Sequence, residues 1–106
     1  MIYNVKTIPR FDKEIKRLAK KYTSLKNEYR ELINELEENP EMGTSLGNNL
    51  YKVRLAITSK RKGKKSGGTR VITYLKTEEG NIYLLTIYDK SEKDTISNNE
   101  IQKILT

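Results

Sequence analysis

The feature that most constrains this chain is a change of hydrophobic period at Asn39-Pro40. Before it, Phe11, Ile15, Leu18 and Tyr22 recur at i, i+4, i+7 and i+11, one face of an amphipathic helix. Thr23-Ser24 breaks that helix and can cap the next, whose stripe is Leu25, Tyr29, Leu32, Ile33 and Leu36. The residue before a proline is pushed out of the α region, so Asn39 ends the second helix. Two helices so close in sequence fold back as a hairpin. After the break, Tyr51, Val53, Leu55 and Ile57 alternate with Lys52, Arg54 and Ala56, the period of a strand.

The remaining elements follow from local signals. MIYNVKTI reads as a short strand, with Thr7 placed to cap the first helix and Pro9 in its first turn, where a missing N–H does no harm. Residues 42–49, with Gly43 and Gly47, read as a loop, and residues 58–68 as a charged loop that cannot bury itself. Residues 69–76 and 82–88 are strands joined by a tight turn at Glu79-Gly80-Asn81. Ser97-Asn98-Asn99-Glu100 is a capping box, flanked by Ile96 and Ile101 as a staple, and predicts a short C-terminal helix carrying Ile104 and Leu105. The order β-α-α-β-β-β-α predicts one α+β domain over residues 1–106. A three-stranded antiparallel meander is joined by the first strand in one sheet, with the helical hairpin on one face. The later strands are apolar on both sides, so the second face is partly covered or used.

A chain of 106 residues has room for a single core. It has no cysteine, which excludes disulfides and thiolate metal sites, and no histidine, which excludes an internal His base, a Ser–His–Asp triad and a His-ligated zinc. No stretch approaches the roughly 20 apolar residues of a membrane span. The opening MIYNVKTIPRF lacks the apolar run of a signal peptide, so the expectation is a cytoplasmic protein without a membrane partner. Charge is concentrated: residues 42–76 hold nine Lys and Arg and no Asp or Glu, more than the whole chain's net +7. Such a segment suits a polyanion; it equally suits a solvated loop that keeps a small protein soluble.

Three stretches resemble the RelE/HigB superfamily of toxins, the HigB-like branch in particular. KKSGGTRVITYL, residues 64–75, is similar to the family's basic loop, Gly-Gly, one residue, Arg and an apolar strand. NIYLLTIYDKSEKDTIS, residues 81–97, is similar to a strand ending Tyr-x-Lys-x-Glu, with an Asp two residues on and a Ser or Thr opening the last helix. PRFDKEIKRLAKKY has the expected Phe and Leu spacing, and LYKVRLAI extends the likeness over nearly the whole chain. The resemblance implies a RelE-like sheet flanked by helices, whose basic face accepts RNA. It implies cleavage of mRNA on the ribosome without metal or other cofactor, and a cognate antitoxin, often a helix-turn-helix protein, as partner.

RNA self-cleavage needs removal of the 2′-OH proton, stabilisation of a more negative phosphorane and protonation of the 5′-oxygen. Without histidine, Lys, Arg, Tyr and carboxylates must supply these. Arg70, on the Gly-Gly-x-Arg strand, is the expected grip on the scissile phosphate, with the glycines admitting phosphate close to backbone. Arg54 is a second clamp on the preceding strand, or an edge charge. Arginine stays protonated and does not serve readily as base. Lys90 is placed for proton transfer or charge stabilisation, or simply flanks the last helix. Tyr88 and Tyr74 either stack on an unpaired base or supply core bulk. Glu92 and Asp94 either support Lys90 as a proton relay or favour a helix dipole. Lys52, Lys60, Arg61, Lys62, Lys64 and Lys65 hold RNA backbone without reading sequence, or meet an acidic antitoxin segment. Two other functions stand beside the nuclease on this fold: a gyrase inhibitor of the ParE kind and a noncatalytic RNA-binding domain. Arg54, Arg70 and Lys90 taken together favour RNA chemistry.

Overall fold

The helical stripes bury as their spacing requires. A computed structural model describes residues 2–58, 68–93 and 95–106. Its elements are β1 (Asn4–Thr7), α1 (Pro9–Lys21), α2 (Leu25–Glu38), β2 (Thr44–Gly47), β3 (Leu50–Leu55), β4 (Thr69–Lys76), a 3-10 turn (Thr77–Glu79), β5 (Asn81–Asp89) and α3 (Asn98–Leu105). Phe11 and Leu18 of α1 and Leu25, Leu32 and Leu36 of α2 are buried against Val53, Val71, Leu75, Ile82, Leu84 and Ile87 of the sheet. Each such side chain contributes roughly 1.5–3 kcal/mol on burial, so this layer dominates the stability.

The fold is α+β, with a single five-stranded sheet in the order β1-β5-β4-β3-β2. The last four strands in sequence are antiparallel neighbours, and β1 lies parallel to β5 at the edge, Asn4 opposite Asn81. The expected three-stranded meander is thus part of a larger sheet. Residues 42–49, read as a loop, contain β2, and Thr44 and Ser45 pair with Lys52 and Tyr51. The turn that follows has Asn48 and Asn49 at φ 54° and 63°, the paired positive φ that a two-residue hairpin requires. Pairing with β3 makes this short polar edge a strand, and its own hydrophobic pattern does not announce one.

The second face is covered as well. Leu50, Ile72, Leu85 and Tyr88 pack there with Ile96 and Ile101, under α3. The capping box forms: Ser97 Oγ accepts from the Glu100 amide at 3.2 Å, and the Glu100 carboxylate accepts from the Ser97 amide at 3.4 Å. Leu85 is the extra residue of a β-bulge, since Ile72 pairs with Thr86 and Thr73 with Leu84. Three local expectations need correction. Thr7 remains in β1, paired with Leu84, so Ile8 occupies the N-cap of α1 without a side-chain cap. Ser24 is the N-cap of α2, yet its hydroxyl bonds the Glu28 carboxylate at 3.1 Å and makes no cap bond. The β4–β5 turn begins at Thr77, and Asn81 already belongs to β5. Among the described residues, no helix is long and apolar enough to cross a membrane.

Candidate functional site

Strand register, set by the antiparallel pairing of β3, β4 and β5, builds the site. Arg54 is the Cα partner of Arg70, and Arg70 is the Cα partner of Tyr88. The three residues form one row across the sheet, on the side that α3 covers further along. Opposed residues lie about 4.5–5.5 Å apart at Cβ, and like charges so placed are destabilising. The row therefore sets two cations against each other near one end of these strands.

Arg54 and Arg70 differ in environment. Arg54 is exposed, and no ion pair among the described residues engages it. Arg70 is only 4% exposed and donates from Nη1 to the Thr69 carbonyl at 3.2 Å. Burial holds its pKa below the usual arginine value, the charge of Arg54 adds to that, and Tyr88 opposes it. A guanidinium so placed is poorly solvated, and anionic oxygen would relieve it.

Tyr88 is 6% exposed, its ring packed with the α3 cluster. Burial raises its pKa; Arg70, Thr95 and the Ile96 backbone pull the other way. Among the described residues its hydroxyl has no hydrogen-bond partner of good geometry. The ring is thus core bulk, and its hydroxyl is buried as well, with the charge of Arg70 nearby.

Lys90 reaches the same end of the sheet through its backbone: its amide donates to the Gly68 carbonyl at 3.0 Å, two residues before Arg70. Gly68 has φ +77°, and a Cβ there would stand 2.4 Å from the Leu55 carbonyl oxygen. This glycine lets the start of β4 close on the end of β3, because the Leu55 backbone fills the space a side chain would need. Lys52 lies two residues from Arg54 on β3, half-buried, opposite Ile72. Tyr74 is not in the row. It pairs with Leu50 and Tyr83 in the second core, four residues or about 13 Å along β4 from Arg70. Lys60, Arg61, Lys62, Lys64, Lys65 and Asp94 lie outside the described residues. Glu92 has its carboxylate in α1's reach, accepting from Arg17 at 2.8 and 3.3 Å and from Lys21 at 3.2 Å.

That clasp belongs to a network that sequence reasoning missed. Asp89, its side chain fully buried, accepts from the Tyr22 hydroxyl, from Lys21 Nζ at 3.1 Å and from the Ser91 amide and hydroxyl at 2.9 and 2.8 Å. Burial by itself would raise the Asp89 pKa, but the bonds from Tyr22, Ser91 and Lys21 outweigh it and hold the carboxyl far below its usual range. The Glu92 and Lys93 amides also bond the Asp89 carbonyl, both at 2.9 Å. The network fixes the chain between Tyr88 and Lys90 from the helix side. Its only trace in sequence is the i, i+4 pair Arg17 and Lys21, whose partners are far along the chain. Among the described residues, no group of three or more carboxylates is placed to hold a metal ion.

A family described as "RelE toxin of RelE / RelB toxin-antitoxin system" matches residues 10–106. Among solved structures, the chain is similar to the free Escherichia coli toxin RelE in a double arginine-to-alanine mutant, at 18% identity and a TM-score of 0.65, covering 89% of this chain and 90% of that one. It is also similar to a chain of the intact E. coli RelBE toxin–antitoxin complex, at 20% identity and a TM-score of 0.59, covering 80% of this chain and 93% of that one.

Proposed function

This chain belongs to the RelE toxin family, and on that premise we propose that it is an endoribonuclease that cuts mRNA on the ribosome without metal and so inhibits translation. The observation that carries the reading is the cross-strand pairing of Arg54 with Arg70 beside Tyr88. Two opposed cations, one of them buried, cost the fold stability that a bound phosphate returns.

In the reaction the 2′-oxygen attacks the adjacent phosphorus while the bond to the 5′-oxygen breaks, leaving a 2′,3′-cyclic phosphate and a 5′-hydroxyl. Arg70 and Arg54 hold the non-bridging oxygens as their charge grows, in a site where burial strengthens the attraction. Proton movement falls to Lys90, whose backbone is tied to Gly68 at this end of the sheet, and to the hydroxyl of Tyr88 in the row. Lys52 and the basic loop of residues 60–65 hold flanking backbone. The partner is a cognate antitoxin, which a toxin–antitoxin complex among the structural relatives supports; its helix-turn-helix kind follows from the sequence resemblance alone.

The test is primer-extension mapping of transcripts after induction of the wild type and of Arg70→Ala, with folding checked by circular dichroism. Loss of the cuts in a folded variant is expected, and unchanged cuts would remove Arg70 from the mechanism. Equal cutting of naked and ribosome-bound mRNA would remove the ribosome. Inhibition of gyrase without RNA cuts would move the chain to the ParE kind of activity.

A further inference from the structure

β5 ends at Asp89, and the chain turns through Lys90, Ser91 and Glu92. Each residue of the turn is held. The Lys90 amide donates to the Gly68 carbonyl at 3.0 Å, and the Glu92 amide to the Asp89 carbonyl at 2.9 Å. The Ser91 amide and hydroxyl donate to Asp89 Oδ1 at 2.9 and 2.8 Å. The other carboxylate oxygen of Asp89 faces α1, accepting from Lys21 Nζ at 3.1 Å and from the Tyr22 hydroxyl. Tyr22 is 2% exposed and packs in the hairpin core, so its hydroxyl is a fixed point. One carboxylate thus joins the Lys90 turn to the packed layer of the protein.

A short polar turn needs no buried charge. An Asn or Ser at its start supplies the same bond to the residue two further on, at the surface. Desolvation makes a buried ion costly unless its partners are well placed, and Asp89, fully buried, has well-placed donors on both oxygens. Lys21 also bonds Glu92 at 3.2 Å, and Arg17 bonds Glu92 at 2.8 and 3.3 Å. The negative charge of Asp89 and Glu92 is therefore answered by two cations of α1, from the helix side.

Starting from the nuclease reading, we propose that Asp89 is a positioning residue for Lys90: through Tyr22 and Lys21 it fixes the turn from which Lys90 serves the arginine row. Lysine is a point charge on a flexible four-carbon stem, so the place of its backbone must be set by other groups. Asp89 follows Tyr88 of the row and precedes Lys90, which puts one anchor between the two residues assigned to proton movement. Misplacing a reacting group by about 1 Å costs on the order of a hundredfold in rate. Asp89 itself is buried and acts only through its neighbours.

Tyr22→Phe and Lys21→Met each remove one donor to Asp89 and leave the ring or the stem in place; Lys21→Arg restores the charge. Leu36→Val, a core change near the C-terminal end of α2, is the control for stability lost without touching this network. Single-turnover cleavage of ribosome-bound mRNA at saturating toxin should slow roughly tenfold in Tyr22→Phe and Lys21→Met, with the half-saturating concentration unchanged. Lys21→Arg should recover most of the rate, and Leu36→Val should keep it. Hydrogen exchange at the Lys90 amide, followed by NMR and independent of any cut, should rise roughly tenfold in the two slow variants and stay constant at Ile72 of β4. Unchanged exchange at Lys90, or cutting by Tyr22→Phe as fast as by Leu36→Val, would overturn the proposal. A wild type that makes no cuts would overturn the nuclease reading instead, and faster exchange at Lys90 would still support the hold of Asp89 on its turn.

Discussion

The amide of Lys90 donates to the carbonyl of Gly68 at 3.0 Å, tying the turn after β5 to the first residues of β4. This bond brings Lys90 to the end of the sheet where Arg54, Arg70 and Tyr88 are aligned, and it depends on the backbone conformation of Gly68.

Gly68→Ala is therefore expected to destabilise the protein. A left-handed backbone at a residue with a side chain costs about 1–3 kcal/mol, and the new Cβ would also press on the Leu55 carbonyl. Gly47 has a similar φ of +85° but nothing within 4 Å, so Gly47→Ala should show the conformational cost alone. Urea titration of the two variants compares them directly, and equal losses would mean that the contact with Leu55 is not tight.

Anions should stabilise the folded protein through the arginine pair. At ten times its Kd, a singly bound anion adds roughly 1.4 kcal/mol by mass action. Differential scanning calorimetry with inorganic phosphate should show a rise in Tm that shrinks in Arg54→Gln. Parallel shifts in both proteins would indicate general salting effects and no bound ion.

Asp89 should govern part of the acid sensitivity. Its folded-state pKa is depressed, so the unfolded chain takes up a proton first, near pH 4. The stabilisation is then full above about pH 4 and lost progressively below it. Asp89→Asn should cost about 1–3 kcal/mol at neutral pH, the scale for disrupting buried hydrogen-bond partners, and should flatten the stability curve below about pH 4. Urea midpoints measured between pH 2 and 7, a range set by that titration, check both effects.

The capping box makes a more local prediction. Ser97→Ala removes the acceptor for the Glu100 amide and should cost about 1 kcal/mol. Because α3 covers Tyr88 through Ile96 and Ile101, hydrogen exchange should rise in α3 first and leave α1 and α2 protected. A uniform rise would show that α3 unfolds only with the whole domain.

The parts of the fold that rest on periodicity were legible in the chain itself. Phe11, Leu18, Leu32 and Leu36 are buried as their spacing implied, and Val53 and Ile57 face the hairpin as the alternation implied. Ser97 and Glu100 form the cap their spacing announced. What escaped reading depends on partners distant in sequence: β2 is a strand because β3 offers it an edge, and Asp89 is an ionised core residue because Tyr22 and Lys21 arrive from α1. The motifs singled out Arg54, Arg70, Tyr88 and Lys90, and the register of β3, β4 and β5 is what brings them to one end of the sheet. No sequence rule gave Arg70 its burial, which follows from its central strand.

The parallel edge pair of Asn4 with Asn81 has a consequence for biosynthesis. β1 leaves the ribosome well before β5, the strand it pairs with, and the apolar side of the helical hairpin waits for the same strands. Folding that depends on such distant closure is slow to begin. A growing chain would thus carry no assembled arginine row until β5 has been made.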